Sequence, residues 1–201
     1  MVMNVNVWTD LFLAGLTAAM IIRNRWIKQF PEGRKALARV GGVERLLMLL
    51  YFIGLVILPL AYILTPWLNF ADFPLPGWVR AIGAVTFIGG IWLLDQSHQA
   101  LAANWTGGTE VREGNTLVTT GTFSRIRHPM YAAHWLMAVG QVLLLANWLA
   151  GPGSLLAFAL LYLVRVPREE AMLLQRFGDR YRDYMRRTGR VVPRFAGRAG
   201  R

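Results

Sequence analysis

Five apolar segments follow one another along the chain, at residues 7–22, 46–64, 79–94, 131–149 and 154–164, with polar connections between them. Four of them hold 16 to 19 residues, approaching the roughly 20 that a helix needs to cross the core of a bilayer. The pattern predicts an all-α integral membrane protein with about five transmembrane helices. The first segment carries Trp8 and Asp10 near its outer end and runs directly into Arg23, Arg25 and Lys28. No basic residue precedes it, so a cleaved signal peptide is not expected. The second contains no charge and one proline, Pro59, expected to kink the helix without breaking it. The third continues as a more polar helix through Asp95, His98 and Gln99. The fourth and fifth are separated by Ala150-Gly151-Pro152-Gly153, a turn short enough to imply an antiparallel hairpin. The fifth is short and is expected to run on as helix past Arg165.

Charge supplies the orientation. Residues 23–45 hold seven basic and two acidic side chains, residues 165–201 eleven and four, and the remainder of the chain nets −1. Basic excess at these ends of the spans marks cytoplasmic connections, so the N-terminus is expected outside and the C-terminus inside. Residues 65–78, with Pro66, Pro74, Pro76, two Trp and the single charge Asp72, read as an outer loop at the interface. The overall charge of +11 does not indicate nucleic acid, because it lies between apolar spans in a chain that is 55% hydrophobic. With no cysteine, a disulfide, a thiolate metal site and a cysteine nucleophile are excluded. No metal site is expected from the three scattered histidines. His98 reads as a helix-end residue at the headgroups, and Gly83, Gly89 and Gly90 as small residues for helix packing or for a lipid groove.

Residues 104–127 form a polar connection rich in Gly and Thr, with Gly107, Gly108, Gly114 and Gly121. Loops of this length are usually functional or disordered. It leads into Arg127-His128-Pro129-Met130-Tyr131. Pro129 suits the first turn of a helix, which places His128 at the cap and Tyr131 in the first turn. On the fifth helix, Arg165 and Glu169 fall one turn apart on one face, with Glu170 turned about 100° away. The hairpin makes the two clusters neighbours. Two carboxylates and Arg127, Arg165 and Arg168 would then meet at a membrane boundary, where ionisable groups usually mark a site. One domain is expected over 1–201: a scaffold of three helices over 1–103, a cofactor-binding and catalytic half over 104–195, and a frayed tail over 196–201.

The residues Gly121-Thr122-Phe123-Ser124-Arg125-Ile126-Arg127-His128-Pro129-Met130-Tyr131, then Arg165-Val166-Pro167-Arg168-Glu169-Glu170, then Phe177-Gly178-Asp179-Arg180-Tyr181 and Tyr184, resemble the isoprenylcysteine carboxyl methyltransferase family, with the related phospholipid methyltransferases behind it. Phe123 departs from that pattern, standing where many members have Tyr. The resemblance implies an S-adenosyl-L-methionine-dependent methyltransferase that lacks a Rossmann domain, and the chain has no Gly-rich strand-to-helix fingerprint. Carried over, it implies that Arg127, His128, Tyr131 and Glu170 bind the cofactor, that backbone around Leu117 and Val118 closes over it, and that Arg165 and Glu169 face the acceptor. The expected acceptor is a prenylcysteine-type carboxylate or similar lipidated acid, with membrane lipids as neighbours. The expected location is the cytoplasmic membrane of a bacterium or archaeon, with the site facing the cytoplasm. The competing readings are methyl transfer to a phospholipid amine or small thiol, a membrane reductase using a nicotinamide cofactor, and a non-enzymatic membrane anchor or subunit.

Overall fold

The computed structural model describes residues 4–29, 41–104 and 116–194. Arg34, Lys35 and Arg39 of the first basic stretch, Gly107, Gly108 and Gly114 of the Gly/Thr connection, and the tail over 196–201 lie outside the described residues. Among the described residues six long helical segments carry most of the regular structure: α1 (Val7–Gln29), α2 (Gly42–Leu64), α3 (Gly77–Leu101), α4 (Pro129–Leu145), α5 (Pro152–Phe177) and α6 (Asp179–Arg187). Among the described residues there is no strand, only isolated bridges at Asp72–Asn147 and Ile126–Gly189.

The first five helices run up and down. At one end the start of α1 meets the end of α2, where the Asn4 amide donates to the Tyr62 carbonyl, and the connections 65–76 and 146–151 come together. At the other end lie the start of α2, the end of α3, the start of α4, and α6. Two helices, α2 and α3, are long and apolar enough to cross a membrane, yet only 33% and 28% of their apolar windows are buried. Apolar side chains such as Trp78, Val85, Trp92, Leu156 and Leu163 face outward. A core helix of a water-soluble protein would turn such residues inward, so this outward apolar surface suits lipid.

Glycine sets the closest approach of α3 to α4. A Cβ on Gly90 would press on the Ala133 carbonyl and Met137, and one on Gly83 on Leu143, so both serve helix packing. Gly89 faces open space. The end of α4 differs from the sequence expectation: the helix stops at Leu145 and not near residue 149, because Ala146 turns left-handed (φ 49°) and Asn147 takes over the connection. Its side chain accepts from the Leu149 and Ala150 amides and donates to the Leu68 carbonyl and Asp72. The expected continuation of α5 past Arg165 is present, through Pro167, to Phe177.

Helix α2 passes Pro59 without ending. Just before it, Ile53–Ile57 widens into a π-helical turn, which relieves the clash between the proline ring and the preceding turn. In that register the missing proline N–H leaves the Gly54 carbonyl without its helical donor. The fully buried Gln141 amide fills the place at 2.8 Å, also donates to the Ala150 carbonyl at 2.7 Å, and accepts from the Ser154 hydroxyl at 3.0 Å. Replacing Gln141 by Leu leaves these groups unpaired at a cost of about 2 to 4 kcal/mol. The expected result is a fall of several degrees in the thermal unfolding midpoint of detergent-solubilised protein, and an unchanged midpoint would refute this role.

Candidate active site

The entry to α4 is shaped before any side chain acts. His128 occupies the cap with φ −125° and ψ 59°, and Pro129 opens the helix. The segment after α6 runs alongside: the Arg127 and His128 amides donate to the Gly189 and Arg190 carbonyls at 2.9 Å each, and the Gly189 amide donates to the Arg125 carbonyl at 3.2 Å. The Tyr184 hydroxyl donates to the Phe123 carbonyl at 2.6 Å. The C-terminal segment thereby straps the His-Pro stretch in place.

Glu170 joins this strap to α5. Its carboxylate receives Arg127 Nε at 2.7 Å, Arg190 Nη2 at 2.5 Å and lies 3.3 Å from His128 Nε2. Arg127 also donates to the Thr188 carbonyl. Burial pushes Glu170 up, but the hydrogen bonds from His128, Arg190 and Arg127 outweigh it and hold the carboxyl well below its ordinary range. Its neighbour moves the other way. Burial pushes Glu169 up, and Arg165, the Tyr131 hydroxyl and His128 offset only part of that. Tyr131 donates to Glu169 Oε1 at 2.5 Å. Arg165 Nε lies 3.4 Å from Glu169 and 3.0 Å from Glu44, the latter at the start of α2 and buried. Close as they are, Arg165 Nε and Glu44 Oε1 are not aligned for a hydrogen bond.

These groups border one cavity of about 630 Å³. Leu117, Val118, Arg127, His128, Tyr131, Arg165 and Glu169 all line it, so the fold brings seven of the eight expected site residues to one space. Glu170 is not among the lining residues and stands behind Arg127 and His128. Arg168 is exposed and away from the cluster. The cavity extends past the charged groups into an apolar part walled by Leu16, Leu55, Val56, Met137 and Leu161. Glu44, Arg23, Tyr51 and Arg190 were not expected at the site. None of the four stands out from the basic stretches and the apolar span that hold them.

A profile of the phospholipid methyltransferase family matches residues 78–180. The chain belongs to that family. Its relatives include the protein-S-isoprenylcysteine O-methyltransferase of Tribolium castaneum, 34% identical over 88 residues that make up 44% of this chain and 31% of that one. Protein-S-isoprenylcysteine O-methyltransferase B of Arabidopsis thaliana is 31% identical over 122 residues, 58% of this chain and 60% of the other. The chain thus spans less than two thirds of the length of these relatives. A structure of the eukaryotic intramembrane Ras methyltransferase, an isoprenylcysteine carboxyl methyltransferase, superposes with a TM-score of 0.61 at 22% identity, covering 94% of this chain and 69% of the other. The all-helical architecture is therefore one that this phospholipid methyltransferase family member shares with an intramembrane protein.

The folded-state pKa of Glu170 lies below its unfolded value, so its stabilisation is complete above the ordinary carboxylate range and is lost as pH falls. Glu170→Gln leaves Arg127 and Arg190 without their counter-charge. With Arg190 partly exposed, the expected cost at pH 7 is about 2 to 3 kcal/mol. The gap between wild type and Glu170→Gln in thermal scans narrows below about pH 4.5; a gap constant down to pH 3 would contradict the assignment.

Proposed function

We propose that the chain is an S-adenosylmethionine-dependent methyltransferase of a membrane that esterifies the carboxylate of a prenylcysteine-type acceptor. The observation that carries this reading is the single cavity with two unlike ends. Its strap end has aromatic and polar walls, including Phe123, Phe177, Tyr181 and Tyr184, and the buried Tyr181 hydroxyl there lacks a hydrogen-bond partner. That end fits a flat heteroaromatic ring with polar edges. The other end is apolar and reaches the middle of the helices, which fits a lipid tail. The volume falls within the roughly 300–1,000 Å³ usual for small-molecule sites.

When bound, S-adenosylmethionine supplies a methyl carbon already activated by a sulfonium. The protein's part is then alignment and exclusion of water. His128 and Tyr131, edge to face at 5.6 Å, form the wall at the strap end, and Glu170 holds His128 and Arg127 in register. A carboxylate acceptor is ionised without a general base. Arg165 anchors it as a planar guanidinium, and Glu44 and Glu169 temper that cation, leaving the carboxylate nucleophilic. In this reading five helices span the membrane with the N-terminus outside and the C-terminus cytoplasmic, so that the cofactor enters from water and the acceptor between helices.

A second reading, methyl transfer to the amine of a phospholipid, is favoured by the family profile. Incubation with methyl-labelled cofactor separates the two: base-labile, volatile label marks an ester and stable label an amine. Ester label is expected from a prenylcysteine acid. Arg165→Lys and Glu169→Gln are expected to lower kcat by about 10²-fold while calorimetry shows retained S-adenosylhomocysteine binding. Full turnover in both would remove the proposed roles, and no nucleoside binding by folded wild type would favour a non-enzymatic anchor.

A further inference from the structure

The charges around the cavity are unevenly answered. Arg127 has Glu170, and Arg165 has Glu44 and Glu169. The Arg23 side chain, exposed on α1, lines the same cavity and makes no ion pair or hydrogen bond among the described residues. Its position on α1 is specific. Leu16, Ala19, Met20 and Arg23 all line the cavity, and their spacing of three, four and seven residues places them on one helical stripe. The stripe is apolar toward the middle of the helix and ends in a guanidinium.

Helix α2 repeats this arrangement in the opposite direction. Met48, Tyr51, Phe52, Leu55 and Val56 line the cavity, again at helical spacing, and the Tyr51 hydroxyl is buried without a hydrogen-bond partner. Arg165 lines the same cavity and repels the Arg23 charge. Two cations that repel each other and a buried hydroxyl lacking a partner, all lining one cavity, favour an anion between them. The apolar stripes running away from that level fit the tail of the same molecule.

We infer that Arg23 and Tyr51 form the subsite that selects the anionic head of an amphiphilic acceptor, which under the proposed function, on which this inference rests, is its carboxylate. Arg165 then orients the carboxylate for transfer while Arg23 distinguishes a charged head from a neutral one. Both residues precede the stretch matched by the family profile, residues 78–180, so the selection belongs to the scaffold half of this chain.

The test compares binding of N-acetyl-S-farnesylcysteine and its neutral carboxamide to wild type, Arg23→Gln, Arg23→Lys and Tyr51→Phe in detergent, with S-adenosylhomocysteine affinity measured alongside. Wild type is expected to prefer the acid by about tenfold or more. Arg23→Gln abolishes the preference, Arg23→Lys keeps most of it, Tyr51→Phe reduces it, and nucleoside affinity stays within about twofold in all. An undiminished preference for the acid in Arg23→Gln overturns the inference and leaves the proposed function standing. Loss of nucleoside binding in Arg23→Gln also overturns it, showing that Arg23 supports the cavity as a whole. A wild type that binds the nucleoside but neither binds nor methylates the acid overturns the acceptor reading and this inference with it.

Discussion

The Glu170 carboxylate ties together three parts of the chain: the entry to α4 through Arg127 and His128, helix α5 through its own backbone, and the C-terminal strap through Arg190. The buried carboxylate depends on these partners, since Glu170 or Arg127 left alone would be a poorly solvated charge. The consequence is positional. The imidazole of His128 and the phenol of Tyr131 are presented to the cavity at fixed angles by a network whose centre lies outside it.

The electrostatics of the neighbouring residue follow a different logic. Glu169 is disfavoured as an anion by burial, yet it is surrounded by Arg165, Tyr131 and His128. Adjacent positions on one helix thus hold one carboxylate held well below its ordinary range by its hydrogen bonds and another pushed up by burial.

Much of this was legible in the sequence because it rests on local rules. Helix periodicity, Pro129 at the start of α4 and the short turn before α5 were enough to bring Tyr131 and Glu169 together. The rest depends on contacts that sequence spacing does not encode. Arg190 looked like one more tail charge, and only the pairing of residues 126 and 189 reveals it as a partner of Glu170. Glu44 and Arg23 read as ordinary residues of a basic cytoplasmic stretch; each acquires a role only when α1 and α2 turn one face to a shared cavity. The early end of α4 was hidden because Asn147 competes for the backbone through its side chain, a local capture that hydrophobic pattern does not register.

The far end of the bundle has its own consequence. There Gln141 joins α2, α4 and α5 through buried hydrogen bonds to Gly54 and Ser154, Asn147 joins the two connections, and the Gly54 and Gly153 backbones are in direct contact. That end is closed by uncharged contacts. At the opposite end the helices are held by charge instead: Glu44 on α2 lies 3.0 Å from Arg165 on α5, and Glu170 on α5 receives Arg127. The bundle is thus shut at one end by neutral amides and close backbone approach, and at the cavity end by groups whose attachment depends on their being ionised.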